Sequence, residues 1–463
     1  MSLVFECMTT AGLGDLSYLV GDDAAGVAAV VDPQIDVERY IEAARRHGLA
    51  ITHILQTHVH EDFVSGARAL AERMSGATVY ASGEDNEPYG YACRLVRDGD
   101  RFELGNTLLT ARHTPGHTPE HMAFLVAERQ HAEAPYAVLS GGSLLVEAAG
   151  RTDLLGEDAA RALTDAQHRT LQAFYARLPD HVIVHPTHAH GSPCGASIGD
   201  RFTTTIGYEK RFNPYLRERD PVAFARLALG DLPPKPRYYP RIKRINRDEP
   251  PRNTHATQIP ALPAADFGAA IAKGNATLLD TRHMLAFGGA HVRGALNIGA
   301  APQLPVWAGW MVEADVPILL VVERDDDVDA IVQSLARTGF RRIAGYLAGG
   351  MTAWQDAGLP LDTLDQLPVH ALRERIDRYT PLDVRSPAEW RKGHIPGALH
   401  VFLPELEGRI PQLARDATYA VYCDSGYRAS IGASLLRRAG FARAANVPGS
   451  WQAWQHAGFP VET

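Results

Sequence analysis

Cysteine is scarce in this sequence. Its 463 residues hold four, Cys7, Cys93, Cys194 and Cys423, widely spread and without a pairing pattern. That excludes a disulfide scaffold and fits a reducing cytoplasm, where thiols are kept for chemistry or packing. Long apolar runs are missing too, and no segment approaches the roughly 20 residues of a membrane span. The N-terminus carries Glu6 and no basic stretch ahead of an apolar one, so it does not read as a secretory signal. Positive charge is in deficit: 46 Lys and Arg face 54 Asp and Glu, a net charge of -8. Nucleic acid and anionic membrane are poor partners for such a surface. The remainder, 45% hydrophobic and 22% charged, is an ordinary soluble globular balance. Length alone suggests about three domains.

The first region mixes short strands and helices. Val27-Ala28-Ala29-Val30-Val31 reads as a buried strand closed by Asp32-Pro33, and residues 54–57 as a second strand entering a histidine-rich loop. Helical patterns cover 37–47 and 66–74. A proline-rich, basic stretch at 232–252 follows, with Pro233-Pro234-Lys235-Pro236 and Pro250-Pro251. Proline fixes extended backbone and blocks helix, so this stretch is the clearest boundary, although its Tyr238-Tyr239 pair can pack on a neighbour.

Beyond it the chain repeats itself. Leu279-Asp280-Thr281-Arg282 matches Leu382-Asp383-Val384-Arg385, and His291-Val292-Arg293-Gly294-Ala295-Leu296 matches His394-Ile395-Pro396-Gly397-Ala398-Leu399. Ala353-Trp354-Gln355-Asp356-Ala357-Gly358 matches Ala453-Trp454-Gln455-His456-Ala457-Gly458. A self-match at about 100 residues is two copies of a domain, not a solenoid of 20–50-residue units. Apolar strand runs alternate with helical stretches in each copy, which predicts small α/β domains with parallel strands. The boundaries are placed at 1–245, 246–362 and 363–463.

The copies differ at one loop. Cys423-Asp424-Ser425-Gly426-Tyr427-Arg428 follows an apolar strand and precedes a helix. Backbone N–H groups of such a loop and the positive end of the helix favour the thiolate, which is the nucleophile. Arg428 adds a fixed positive charge for an oxyanion, Ser425 a hydroxyl donor, and Gly426 a tight turn. Cys423 is therefore the expected covalent carrier. The first copy has Val322-Glu323-Arg324-Asp325-Asp326-Asp327 there, with Val322 opposite Cys423 or, after one gap, Glu323. Neither residue carries sulfur, so that copy is expected to be a non-catalytic spacer or docking domain.

These motifs, with Glu389 and Gly449-Ser450-Trp451-Gln452-Ala453-Trp454, resemble the rhodanese family of sulfurtransferases across both copies. The resemblance implies that the loop cysteine accepts sulfane sulfur as a persulfide and hands it to a thiol or cyanide. It also implies substrate contacts from Asp383 and Arg385. The short loop favours sulfur over the phosphate handled by phosphatases of related fold.

The N-terminal region carries Thr57-His58-Val59-His60-Glu61-Asp62-Phe63, then His113-Thr114-Pro115-Gly116-His117-Thr118-Pro119-Glu120-His121, then Pro186-Thr187-His188. Histidines at i and i+2 after a strand, joined by one in a Gly-His-Thr turn, form a ligand pattern for a transition metal. The expected ligands are His58, His60 and His117. Single histidines such as His121 and His168 are expected to be surface or capping groups.

Residues 1–245 resemble the metallo-β-lactamase fold, and within it persulfide dioxygenases and glyoxalase II hydrolases; Ala149-Gly150-Arg151-Thr152-Asp153-Leu154 and Glu209-Lys210-Arg211-Phe212-Asn213-Pro214 also carry the likeness. It implies an αββα sandwich ahead of the two rhodanese-like α/β domains, mononuclear non-haem Fe²⁺ or alternatively Zn²⁺, and a thiol persulfide or thiosulfate as substrate. Arg211 is a candidate thiol contact, and a homodimer is usual for such folds. Two positions depart from the family pattern: Phe63 replaces a ligand of the second metal, and Gly142 replaces a carboxylate ligand. Together they exclude a dinuclear hydrolase and leave Asp62 and His188 as outer groups or a proton relay. The leading expectation is persulfide oxidation coupled to sulfur transfer through Cys423. Its rivals are a Zn-dependent thioester hydrolase and a metal-free binding domain serving the sulfurtransferase.

Overall fold

A computed structural model describes residues 3–195, 198–230, 232–252 and 258–463. The chain divides into two compact units, Met1–His255 with Ala336–Gly339, and Ala256–Leu335 with Phe340–Thr463.

The first unit is built on two six-stranded sheets. One runs in the order Leu3–Thr10, Asp15–Asp22, Val27–Val31, Ala50–Leu55, Thr78–Ser82, Arg94–Val96; the other runs Thr204–Thr205, Ile183–Pro186, Pro135–Gly141, Met122–Glu128, Thr107–His113, Arg101–Leu104. Strand alternation sorts the side chains. Tyr18, Val20, Ala29, Val31 and Leu55 point between the sheets to meet Phe102, Leu109, Phe124 and Leu139. Their neighbours Leu19, Ala28, Val30 and Ile54 face outward onto the helices Glu38–Arg46 and Ala67–Arg73. The second sheet's outer face is covered by the helix Glu157–Ala173 and the short helices after Thr205. Both faces of Val27–Val31 are thus apolar-covered, which is why it reads as an unbroken hydrophobic run rather than an alternating one. The architecture is the expected αββα sandwich.

The proline-rich stretch behaves differently from its composition. Tyr239–Asp248 is a helix, with Pro240 in its first turn where a missing N–H costs nothing. Tyr238 and Tyr239 are buried, and the segment packs within the first unit, whose edge falls ten residues beyond 245. Pro240 opens this helix, while Pro233, Pro234, Pro236, Pro250 and Pro251 lie outside helix and strand.

The second unit holds both repeats. Each is a five-stranded sheet with the same strand order: Ala261–Leu262, Ile343–Leu347, Ile318–Val321, Thr277–Asp280, Leu296–Asn297 in the first, and Asp365–Gln366, Ala444–Asn446, Tyr419–Tyr422, Thr380–Asp383, Leu399–His400 in the second. All pairings inside these two sheets are parallel, as the alternation of strand and helix predicts. One apolar cluster runs through both repeats, joining Leu320 and Phe340 to Val421 and Leu436. The helix Tyr427–Arg438 is buried along most of its length and is tied to the first repeat. Its Ser430 donates to Asn297 Oδ1 (2.6 Å), and its Ser434 accepts from Asn297 N (3.1 Å).

Each repeat is latched by the same buried ion pair. Arg385 Nη2 donates to Asp383 Oδ2 (2.6 Å) and to the Gly393 carbonyl (2.8 Å), while its guanidinium lies over Trp451. Arg282 repeats the pattern on Asp280 Oδ2 (2.6 Å) and the Ala290 carbonyl (2.8 Å). Asp383 and Arg385, the residues expected to meet substrate, are thus paired with each other. Both are buried, and the copy without a cysteine has the same arrangement. Removing one partner of such a pair leaves an uncompensated buried charge. Arg282→Ala and Arg385→Ala are each predicted to destabilise the second unit by about 3–5 kcal/mol in urea unfolding. A substrate role for Arg385 would instead leave stability unchanged and raise KM alone.

Candidate functional sites

One edge of the sandwich gathers the loops that follow five strands. Asp32 ends Val27–Val31, His58 and His60 follow Ala50–Leu55, His117 lies between Thr107–His113 and Met122–Glu128, Gly142 follows Pro135–Gly141, and His188 follows Ile183–Pro186. Asp15 begins its own strand and bridges to His188. Hydrogen bonds assign the tautomers. Thr57 donates its only hydroxyl proton to Asp32 Oδ2 (2.7 Å), so its oxygen must accept from His58 Nδ1 (2.8 Å). His117 Nδ1 donates to the Arg151 carbonyl (2.9 Å). His188 Nδ1 donates to Asp15 Oδ1 (3.1 Å). His58 and His117 therefore each keep a bare Nε2, while His188 Nε2 is buried without a hydrogen-bond partner among the described residues.

The trio that converges is His58, His117 and His188, with ligand atoms within 4.8 Å of one another; His60 joins a second group with Asp62 and His188 at the same limit. The motif-based set of His58, His60 and His117 is not one cluster in this fold. His60 turns aside, with Nε2 3.1 Å from Asp32 Oδ1. Asp62 and His188, expected at the periphery, lie within these clusters. Several buried polar atoms have no hydrogen-bond partner among the described residues: His188 Nε2, both nitrogens of His60, Asp62 Oδ1 and Asp15 Oδ2. Buried polar atoms are normally paired, and orphans gathered in one place with imidazole and carboxylate chemistry fit a transition-metal ion.

The electrostatics agree with that fit. Burial, helped by His60 and His117, pushes His58 well below the usual histidine range. Burial and His188 bring His117 down to about 3. Neutral imidazole is the form that binds metal. His188 is the exception: burial alone would depress it, but Asp62 and Asp15 hold it up at about 10. Burial and the Asp62 carboxylate in turn push Asp15 upward.

Both departures from the family pattern have a packing reason. Phe63 is fully buried with its ring 4.3 Å from that of His60, filling the space of a second metal's ligand with apolar surface. A Cβ at Gly142 would collide with the His117 ring, so no side chain projects there while His117 keeps its place. Gly150 is equally constrained, since its Cβ would run into the Gly142 carbonyl oxygen. The Gly150-Arg151 segment thereby comes close enough to hold His117, and Arg151 is itself tied to Asp153 by two 2.8 Å bonds.

Some residues here were missed or misread from sequence. His121, expected at the surface or in a cap, is fully buried 5.1 Å from His58. Its Nε2 accepts from Gly142 N (2.9 Å) and its Nδ1 faces Thr114 Oγ1 (2.8 Å), so it has no lone pair left for a ligand. Cys194, one of four scattered thiols, is buried with Sγ 3.4 Å from Asp62 Oδ2, where burial and that carboxylate push the thiol well up. Asn246, on the helix from the proline-rich stretch, donates to the carbonyls of His60 (2.9 Å) and Phe63 (2.7 Å) and accepts from Ser65 N (2.8 Å), bracing the whole His-x-His loop. No local pattern marks Asn246, because its partners lie more than 180 positions away. Arg211 is exposed, and no contact among the described residues joins it to the histidines.

In the second unit, Cys423 is buried at the end of Tyr419–Tyr422. Gly426, at φ +111°, turns the loop so that its N–H points at Cys423 Sγ (3.1 Å). The helix Ser450–His456 feeds its first N–H groups into the same loop, Trp451 N to the Cys423 carbonyl (2.9 Å) and Gln452 N to that of Asp424 (3.0 Å). Arg428 is gripped by both oxygens of Glu389 (2.7 and 2.8 Å), and against the cost of burial these bonds hold Glu389 down at about 2. The Arg428 charge is thus aimed by Glu389 rather than free to swing. Ser425 is exposed and its carbonyl accepts from Gly449 N (3.0 Å). Met284 of the first repeat covers the loop, 3.1 Å from where a Cβ on Gly426 would lie. Strand register settles the alignment of the copies: Asp280 pairs with Val321 as Asp383 pairs with Tyr422, so Val322 stands where Cys423 does.

The rhodanese-like domain family matches residues 263–357 and 368–457, and the metallo-beta-lactamase superfamily matches residues 12–131. A hydroxyacylglutathione hydrolase of Polaromonas sp. is 31% identical over 247 residues, 48% of this chain and 89% of that protein. The mitochondrial persulfide dioxygenase ETHE1 of Homo sapiens is 27% identical over 203 residues, 43% of this chain and 70% of that protein. A crystal structure of a metallo-beta-lactamase from Staphylococcus aureus subsp. aureus COL superposes with a TM-score of 0.68 at 30% identity, covering 75% of this chain and 99% of that one. The chain belongs to the metallo-beta-lactamase superfamily and carries two rhodanese-like domains C-terminal to that fold.

Proposed function

We propose that this is a sulfur-metabolising enzyme whose histidine site oxidises the persulfide of a low-molecular-weight thiol, while Cys423 carries sulfane sulfur onward. The observation behind the first half is the convergence of ligand nitrogens from three buried imidazoles, His58, His117 and His188. Ferrous iron held there supplies the redox chemistry that joins O₂ to a persulfide sulfur, whereas Zn²⁺ supplies only Lewis acidity. The chain's own groups keep the site in shape: Thr57 and the Arg151 carbonyl hold protons away from the inward nitrogens, and Phe63 keeps its far side dry. Kinship with proteins named persulfide dioxygenase supports an oxidative reading, and Phe63 and Gly142 weigh against a two-metal hydrolase. A pocket lined by Lys235, Lys243, Arg244 and Arg247, together with Glu61, Glu87 and Asp248, is a second candidate seat for the thiol besides Arg211.

At the second site the Cys423 thiolate attacks the outer sulfur of thiosulfate or a persulfide. The sulfur–sulfur bond breaks, sulfite or the thiol departs with the electron pair, and Cys423 holds the sulfane sulfur until an acceptor thiol removes it. The Gly426 N–H points at the sulfur, and Arg428 brings positive charge near it for an anionic donor.

Oxygen uptake with glutathione persulfide is expected from the iron-loaded chain and should vanish in His58→Ala; equal uptake by both rejects the oxidative half. Thiosulfate:cyanide transfer is predicted to fall to background in Cys423→Ser, and its survival rejects the sulfur-carrier half. Glu389→Gln keeps the thiol but releases Arg428, and should cut transfer on the order of 10-fold through KM for thiosulfate, since hydrogen bonds to charged groups contribute about 1.5–3 kcal/mol.

A further inference from the structure

The metal reading leaves a chemical question at Gly142. A site of three imidazoles lacks the negative charge that a carboxylate ligand would bring to a divalent cation, and His117 blocks any side chain at 142 from restoring it. The structure supplies that charge from another direction. His188 Nδ1 is bracketed by two buried carboxylates, Asp15 Oδ1 at 3.1 Å and Asp62 Oδ2 at 3.2 Å. Only the Asp15 contact has hydrogen-bond geometry, whereas Asp62 Oδ2 also takes the thiol of Cys194 at 3.4 Å.

Asp15 is also held to His188 through the backbone. The two residues form an antiparallel bridge, Leu16 N donates to the Thr187 carbonyl (2.7 Å) and Ala189 N to that of Gly14 (2.7 Å). Gly14, at φ +71°, permits this approach, because a Cβ there would lie 2.6 Å from Ser192 N. The carboxylate and the imidazole therefore move as one rigid pair. Their alignment leaves His188 Nε2 buried, without a partner among the described residues, and in the same cluster as His58 and His117.

We infer that His188, through Nε2, is the third metal ligand in place of a carboxylate, that Asp15 is the positioning residue that orients it, and that the Asp15–Asp62 carboxyl pair behind it supplies the negative charge. This rests on the histidine edge being a metal site. A carboxylate on the far N–H of a ligand histidine fixes its tautomer and raises its basicity, and losing such a partner typically weakens metal binding about 10–100-fold. His60 stays outside the set: its ring faces Phe63 and Asp32 and makes a weaker candidate than the motif suggests.

The test uses Co²⁺ as a spectroscopic probe on the full chain, with binding measured by titration and by the visible absorption of the bound ion. The unaltered chain is expected to bind one Co²⁺. Asp15→Asn keeps the shape and a hydrogen-bond acceptor but breaks up the carboxyl pair behind His188. It should still bind one ion, about 10–100-fold more weakly, with a shifted spectrum and unchanged circular dichroism. His188→Ala should lose the band, and His60→Ala should lose far less affinity than His188→Ala. Wild-type affinity and spectrum in His188→Ala would overturn the ligand assignment, and the same in Asp15→Asn would overturn the positioning role. An unaltered chain that takes up no Co²⁺ would instead bring down the metal reading itself, and this inference with it.

Discussion

Imidazole rings crowd the edge of the first unit, with centroids 4.0 Å apart between His58 and His60 and 5.6 Å apart between His117 and His188. In a space closed to water, rings that close cannot all be protonated, and a proton that is held needs a carboxylate beside it. Three rings answer this through their Nδ1 partners: a threonine hydroxyl for His58, a carbonyl for His117, a carboxylate for His188. Those partners sit on separate loops. The inward nitrogens converge only if both sheets hold those loops in place, so the apolar core between the sheets and the geometry of the site are one requirement.

The same requirement explains details that have no chemistry of their own. Gly142 and Gly150 are glycines because the His117 ring and the backbone that holds it occupy the space of a side chain. Asn246 ties a helix from far along the chain to the carbonyls of the His-x-His loop. Burial works against the charge on Asp32, yet His60 and hydrogen bonds from Thr187 and Thr57 outweigh it and hold this carboxyl below its usual range. It thereby serves as an anchor under the histidines rather than a proton store.

In the second unit one fold is used twice with one difference. The buried Asp–Arg latch and the parallel sheet are the same in both repeats, so they belong to the fold. What separates the copies is the loop after the third sheet strand: a glycine turn aims an N–H at a sulfur in one, and an exposed acidic turn follows Val322 in the other. The copy without a cysteine still contributes, since Met284 and Asn297 close over the other copy's loop and helix. The two proposed reactions, sulfane-sulfur transfer at Cys423 and oxidation at the histidines, draw on the same class of substrate.

The sandwich, the doubled α/β domain and the Cys423 loop were legible in the sequence, because each is written in contiguous residues. Strand and helix periodicity and a six-residue loop need no distant partner to be recognised. The histidines were legible as a set but not in their roles. A His-x-His pair named His60 as a ligand, whereas the fold turns His60 toward Asp32 and brings His188 beside His58 and His117. His121 looked incidental and is buried with both nitrogens committed. Asp15, Cys194 and Asn246 carried no signal, since each acts on a residue more than 130 positions away. The Asp383–Arg385 element was visible, but its burial and its pairing appear only in the fold. By itself the sequence determined which chemical groups are present and which local turns they occupy. Only the tertiary structure decided which nitrogen faces inward and which carboxylate stands behind it, because tautomer and orientation are set by hydrogen bonds between loops that the chain brings together only on folding.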